Sequence, residues 1–63
     1  MKLYIYDYYT KEVSYIINGK DGHACMKCFN VLKRADLVDE KAECSFFDVD
    51  LKVTSNTEDL FAQ

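Results

Sequence analysis

The chain has few of the features that catalysis, export or membrane insertion require. Its 63 residues include no proline, one histidine, two glycines and three cysteines. No apolar stretch approaches the roughly 18–20 residues that span a bilayer. The opening residues 1–7 end on Asp7 and are too short for the apolar core of a signal peptide. These absences predict a cytoplasmic protein without a membrane segment.

Groups that would support catalysis are also missing. His23 is the single histidine, and the chain has neither a glycine-rich phosphate loop nor the turn that carries a nucleophilic serine in hydrolases. Asp48 and Asp50 form a carboxylate pair only formally, because an exposed pair without a cleft is not a glycosidase site. A chain this short has little room for a concave pocket. We therefore expect no enzymatic activity and no cofactor.

The three cysteines allow two interpretations. An odd, small number does not form a disulfide framework, so the thiols indicate a reducing compartment. With the histidine they match the count of a Cys3His zinc site, made of His23, Cys25, Cys28 and Cys44. The first two cysteines, however, also supply the apolar face of a predicted helix, where buried thiols act as small hydrophobes. We predict core cysteines, with a small zinc-stabilised domain as the alternative.

Length and composition predict one small globular domain. The chain is 49% apolar and contains nine aromatic residues, enough to form a core. A domain of this size buries only about 60% of the surface that its unfolded chain exposes, so its stability is marginal.

Two strands are predicted at the beginning of the chain. Residues 2–9 and 13–18 are rich in aromatic and β-branched side chains, and residues 10–12 form the loop between them. That loop pairs Ile5 with Ile17. The buried face then consists of Leu3, Ile5, Val13, Tyr15 and Ile17.

A helix and a third strand follow. Asp21 is a suitable N-cap for a helix over residues 22–35, whose inner face carries Cys25, Cys28, Phe29 and Leu32. Residues 44–54 alternate between apolar and polar types as a half-buried strand does. The predicted fold is a two-layer ββαβ α+β domain over residues 1–54, with a three-stranded, mainly antiparallel sheet and one helix on one face. Residues 55–63 are predicted to form a polar C-terminal tail.

Charge is unevenly distributed along the chain. Residues 1–35 carry a net charge of +3 and residues 36–63 a net charge of −6, which gives −3 in total. An acidic half does not favour contact with phosphates, so direct nucleic-acid binding is not expected. An acidic surface instead suits a basic surface on a partner.

The outer face of the predicted sheet is the candidate partner-binding surface. Tyrosine is enriched in interfaces because it buries a large area at little entropic cost and keeps a polar tip. The surface consists of Tyr4, Tyr6, Tyr8, Ile16, Phe46, Asp48 and Asp50. Two alternatives stay open: a monomer that reserves this face for a partner, or a weak homodimer through it.

The C-terminal residues resemble a known docking peptide. Asp59-Leu60-Phe61 is similar to the end of the motif by which bacterial proteins dock on the DNA polymerase sliding clamp. Thr57 stands where that motif normally begins with glutamine. The alternative is a tail whose Leu60 and Phe61 pack back on the domain.

The first half of the chain resembles small proteins encoded by bacteriophages and prophages. The resemblance lies in Lys2-Leu3-Tyr4-Ile5-Tyr6-Asp7, the polar turn, the segment from Val13 to Gly19, and the Asp-capped helix with a cysteine on its inner face. It implies a compact accessory factor that binds, and in many cases inhibits, a larger host or phage protein in the host cytoplasm. A nucleic-acid-associated regulator is a further alternative.

Overall fold

The computed structural model describes residues 1–62 and has one helix packed on a four-stranded mixed sheet. The elements are β1 (Lys2–Tyr6), β2 (Glu12–Gly19), α1 (Gly22–Arg34), β3 (Glu43–Ser45) and β4 (Lys52–Ala62). The strand order is β3-β1-β2-β4. The predicted α+β fold with one helix on a sheet is confirmed, and the sheet has a fourth strand.

The β1–β2 hairpin places Leu3, Ile5, Tyr15 and Ile17 on the predicted face, but its register differs from the prediction and Val13 leaves that face. β1 ends at Tyr6, so the connection begins at Asp7 rather than at residue 10. Ile5 therefore pairs with Tyr15 instead of Ile17. A shift of two residues leaves each side chain on its original face, because side chains alternate with a period of two. An irregularity at Ser14 then places Val13 opposite Tyr6.

The helix forms where the sequence predicts it. The Asp21 carboxylate accepts a hydrogen bond from the backbone N–H of Ala24 at 2.8 Å, which caps the first turn. The helix ends at Arg34, one residue earlier than predicted, and Asp36 follows with φ of 57°. This left-handed residue turns the chain so that Val38 is buried.

The predicted third strand over residues 44–54 is wrong. Only its two ends pair: Glu43–Ser45 is antiparallel to β1, the chain then crosses to the opposite edge of the sheet through residues 46–51, and from Lys52 onward it pairs with β2 as part of β4. Asp50, with φ of 63°, interrupts the apolar–polar alternation. As a result Phe47 and Val49, two of the apolar members of that alternation, are 74% and 72% exposed.

Residues 55–62, predicted to be a polar tail, belong to the sheet. They are part of β4, which pairs with β2 in parallel. A polar sequence is compatible with this position because an edge strand has one side open to solvent. Gln63, the last residue of the predicted tail, lies outside the described residues.

The main core lies between α1 and the sheet. Its buried members are Leu3, Ile5, Ile17, Cys25, Phe29, Leu32 and Val38. Leu60 of β4 packs against it, whereas Phe61 is 84% exposed. Within residues 1–62, no helix has the length and apolar character needed to cross a membrane.

Candidate partner-binding groove

The predicted tyrosine face is partly covered. Tyr4 and Tyr6 are half-buried, and Ile16 is only 8% exposed. Ile16 and Val13 are buried without belonging to the core cluster beneath the helix. Tyr8 is exposed in the β1–β2 connection and does not extend the tyrosine row of β1. The sheet face opposite α1 is therefore not the open aromatic surface that the sequence predicts.

The other predicted members of that surface lie elsewhere. Phe46, Asp48 and Asp50 fall in the connection 46–51 rather than on a strand. A Cβ atom at Gly22 would lie 3.4 Å from Cζ of Phe46, which places this ring beside the beginning of α1. The seven predicted partner-binding residues thus do not share one face, because the strand assumed to align the last three does not form.

An open groove of about 670 Å³ lies at the end of the sheet that carries the β1–β2 connection. It has contributions from that connection, from the segment before β3 and from β4. Its lining residues are Tyr6, Asp7, Tyr8, Tyr9, Thr10, Glu12, Val13, Ser14, Tyr15, Asp39, Lys41, Ala42, Thr54, Asn56 and Glu58. We call this site the tyrosine groove. Of the predicted surface, only Tyr6 and Tyr8 line it.

Asp7 organises the β1–β2 connection. Its carboxylate accepts hydrogen bonds from the backbone N–H groups of Tyr9 at 2.8 Å and Thr10 at 3.0 Å. The bonds from Thr10 and Tyr9 hold the pKa of the Asp7 carboxyl below its ordinary value, because they stabilise the charged form. This local arrangement fixes the loop that presents Tyr9, which is 84% exposed.

Lys11 already places a cation on the tyrosine rings. Its Nζ atom lies 5.3 Å from the ring centre of Tyr6 and 4.9 Å from that of Tyr8. Both distances fall within the range of a cation–π contact. The backbone of Lys11 has φ of 64°, a left-handed conformation that reverses the chain just before β2. The rings at this end of the sheet thus bind a positive charge within the chain.

Two further segments shape the groove. Between Val13 and Tyr15 the register with β4 jumps from Val53 to Glu58, so extra residues of β4 bulge out. The Thr57 hydroxyl donates to the backbone carbonyl of Val13 at 2.9 Å and ties this bulge to β2.

The segment before β3 is fixed by Asp39. Its carboxylate accepts a hydrogen bond from the backbone N–H of Lys41 at 2.8 Å, and its carbonyl accepts one from Ala42 at 2.9 Å. This side of the groove, like the Asp7 side, is held by local bonds to an aspartate.

The lining of the groove is acidic. Among the described residues, it carries the carboxylates of Asp7, Glu12, Asp39 and Glu58 and a single ammonium, that of Lys41. The same lining contains neither histidine nor cysteine, the side chains most suited to nucleophilic or acid–base chemistry near neutral pH. Its carboxylates and tyrosine rings are suited to binding a cation.

The four predicted zinc ligands do not come together. Within residues 1–62, no three His, Cys, Asp or Glu side chains form a group that could hold a metal ion. Cys25 is fully buried, with its Sγ atom 3.6 Å from the carbonyl oxygen of Met1, whereas His23 is exposed. The Cys44 thiol lies 3.9 Å from the sulfur of Met26. The zinc alternative has no support in this arrangement.

The Cys28 and Cys44 thiols are also poor nucleophiles. Burial, and to a lesser extent the neighbouring Cys25, raises the pKa of the Cys28 thiol. Burial, followed by the charge of Glu43, raises the pKa of the Cys44 thiol. Less thiolate is therefore present near neutral pH than at a free cysteine.

The docking-peptide residues form part of the sheet. Asp59, Leu60 and Phe61 pair with Ile16, Ile17 and Asn18 of β2. A peptide held in a parallel ladder is not free to bind a second protein in an extended form unless this part of β4 detaches. The alternative prediction, a tail that packs back on the domain, is correct for Leu60, which contacts the core. It is not correct for Phe61, which is exposed.

Comparison with known proteins gives no match: no family model, no curated protein and no solved structure is similar to the chain.

The tyrosines and charged residues of the lining that were not predicted from the sequence are Asp7, Tyr9, Glu12, Tyr15, Asp39, Lys41 and Glu58. One signal was available, since Asp7 followed by Thr10 is a spacing typical of an aspartate-capped turn. That turn ends β1 early and exposes Tyr8 and Tyr9. The contribution of Glu58 could not be found in this way, because it depends on the parallel pairing of β4 with a strand far away in sequence.

Proposed function

We propose that this protein is a non-enzymatic protein-binding module that contacts a larger protein through the tyrosine groove. The observation that carries the proposal is the groove itself, which combines four tyrosine rings with four carboxylates at one end of the sheet. The resemblance to small phage proteins makes an accessory or inhibitory role on a host or phage protein the most economical biological setting. Three free cysteines support a cytoplasmic location.

Binding fits the groove better than catalysis does. Tyrosine side chains supply contact area at a low loss of conformational entropy, and they are common among residues that dominate binding energy. Tyr8 and Tyr9 are both well exposed, and their rings meet edge to face with centroids 5.3 Å apart. This mutual contact limits their freedom before a partner arrives, which reduces the entropy lost on binding.

A pair of matched variants tests the proposal. Tyr9 and Phe61 are both aromatic and both 84% exposed, but only Tyr9 lines the groove. The wild-type chain, Tyr9→Ala and Phe61→Ala are immobilised and challenged with a bacterial lysate at equal density. For the protein retained by the wild type, we expect Tyr9→Ala to weaken binding about tenfold, as loss of an aromatic anchor commonly does.

Phe61→Ala should retain that protein as the wild type does. Equal losses in the two variants, or no loss in Tyr9→Ala, would contradict binding through the groove. Circular dichroism of both variants checks that the fold is unchanged. Sedimentation velocity across a wide concentration range decides whether the wild type is a monomer or a weak homodimer.

A further inference from the structure

We infer that the tyrosine groove takes an extended, arginine-bearing segment of the partner protein. This inference rests on the proposed function and names the chemistry of the partner. The site is also a different one from the outer sheet face predicted from the sequence, because the tyrosine groove has a different set of charged and aromatic residues.

Charge complementarity is the first argument. Four carboxylates against the ammonium of Lys41 give the groove lining a net charge of −3, and the nearby ammonium of Lys11 on the rings of Tyr6 and Tyr8 reduces this to −2. A groove with low-dielectric walls concentrates such a field and favours an incoming cation. The same field repels phosphates, so a nucleic acid is not a suitable occupant.

The tyrosine rings provide the second argument. The ammonium of Lys11 lies within 5.3 Å of two ring centres, which shows that the rings are oriented to receive a positive charge. A guanidinium is planar, stacks on aromatic faces and is more weakly hydrated than an ammonium. An arginine of the partner therefore has an advantage over a lysine at the same position.

The third argument is that the anionic groups are positioned in advance. One oxygen of Asp7 accepts two backbone N–H groups and one oxygen of Asp39 accepts a third, so neither carboxylate has to be ordered by the ligand. Within residues 1–62, no backbone N–H bonds to the second oxygen of either carboxylate, which leaves that oxygen available to a guanidinium. Because the groove is open and formed by three separate segments, it can accommodate an extended polypeptide segment of the partner.

The probe is a short, fluorescently labelled peptide that alternates arginine with serine. Its binding to the wild-type protein is measured by fluorescence anisotropy at low ionic strength, next to two peptides of equal length in which lysine or glutamate replaces arginine. We expect saturable binding of the arginine peptide that weakens as salt is added, binding of the lysine peptide several-fold weaker, and no binding of the glutamate peptide.

A charge-matched pair of double variants locates the site. Asp39→Asn with Glu58→Gln removes two charges from the groove, and the amide oxygen introduced at position 39 can still accept the bond from Lys41. Asp48→Asn with Asp50→Asn removes two charges from the connection 46–51, and asparagine tolerates the positive φ at position 50. We expect the first pair to weaken arginine-peptide binding about tenfold, equivalent to about 1.4 kcal/mol. The second pair should change it less than twofold.

Lys11→Asn tests the role of the rings. Asparagine accepts the left-handed backbone of this position, while the variant removes the cation that lies on Tyr6 and Tyr8. We expect the arginine peptide to bind several-fold more tightly to this variant. Unchanged or weaker binding would overturn the assignment of the rings as the cation site.

Absence of arginine-peptide binding, or equal losses in the two double variants, would overturn the inference. So would comparable binding of a single-stranded DNA oligonucleotide. These results are distinguishable from a failure of the proposed function. If the lysate protein is lost with Tyr9→Ala but the arginine peptide does not bind, a partner uses the groove with other chemistry. If both measurements fail, the groove is not a binding site.

Discussion

At one end of the sheet Met1, Gly19 and Cys25 lie in close contact, and at the other end the chain leaves a groove open to solvent. At the closed end, Met1 and Gly19 exchange two hydrogen bonds of 2.8 and 2.9 Å, and Cys25 lies directly against both. At the open end, Asp7 and Thr57 hold loops that expose tyrosine rings. The domain thus has close backbone and side-chain contacts at one end, while hydrogen bonds fix the loops around an open groove at the other.

The largest effect on stability is expected at the closed end. A Cβ atom at Gly19 would lie 2.6 Å from Sγ of the fully buried Cys25 and 3.2 Å from its backbone nitrogen. Gly19→Ala should therefore lower the free energy of unfolding by about 2 kcal/mol, as overpacking does. Urea denaturation measures the difference.

Gly22→Ala is the matched control at the first residue of α1. The nearest atom to its added Cβ lies at 3.4 Å, an ordinary contact, and alanine is the better helix former. Its stability should equal or exceed that of the wild type. Similar losses of unfolding free energy in both glycine variants would show that the packing around Gly19 is no closer than that around Gly22.

A smaller loss of stability is expected from a substitution in the bulge of β4. Thr57→Val removes the hydroxyl that donates to the carbonyl of Val13 and accepts a longer bond of 3.3 Å from the backbone N–H of Thr54, and it preserves the side-chain shape. The expected loss in the free energy of unfolding is about 1–2 kcal/mol, the usual net contribution of two hydrogen bonds. Thr57→Ser should restore most of it, because serine keeps the hydroxyl. If valine and serine behaved alike, these hydrogen bonds would not hold this side of the groove.

The smallest effect on stability is expected from a substitution of Asp7, and its size depends on pH. A carboxyl with a lowered pKa in the folded state contributes stability above its unfolded pKa, and that contribution is lost as the pH falls through the folded pKa. The wild type should therefore lose more stability than Asp7→Asn on acidification from neutral pH to about pH 3. Urea denaturation at both pH values provides the comparison, with Asp48→Asn as the control. An equal pH dependence of wild type and Asp7→Asn would contradict the turn-capping role.

The closed end was largely predictable from the sequence because its determinants are local. Asp21 precedes an apolar periodicity of 3.6, and this pattern alone predicts the helix, its beginning and its buried face. Most of the hairpin face was equally predictable, since a shift of two residues in register keeps Leu3, Ile5 and Ile17 on the core side. The exception is Val13, which the irregularity at Ser14 moves to the face of Tyr6.

The open end was not predictable in the same way. The alternation in residues 44–54 is typical of a strand, but the left-handed Asp50 interrupts it and the connection 46–51 crosses to the other edge. The polar residues 55–62 have no strand periodicity, and they join the sheet only because β2 offers a free edge. Both outcomes depend on contacts distant in sequence, and the groove depends on both.

The most direct test of the groove is an amide chemical-shift titration of the isotope-labelled protein with the arginine–serine peptide. The account predicts shifts confined to residues 6–15, 39–42 and 54–58, the segments that line the groove. Signals of residues 46–51 and of the exposed side of α1 should stay unchanged up to saturation. Shifts centred on residues 46–51, or spread evenly over the acidic surface, would contradict the tyrosine groove as the binding site.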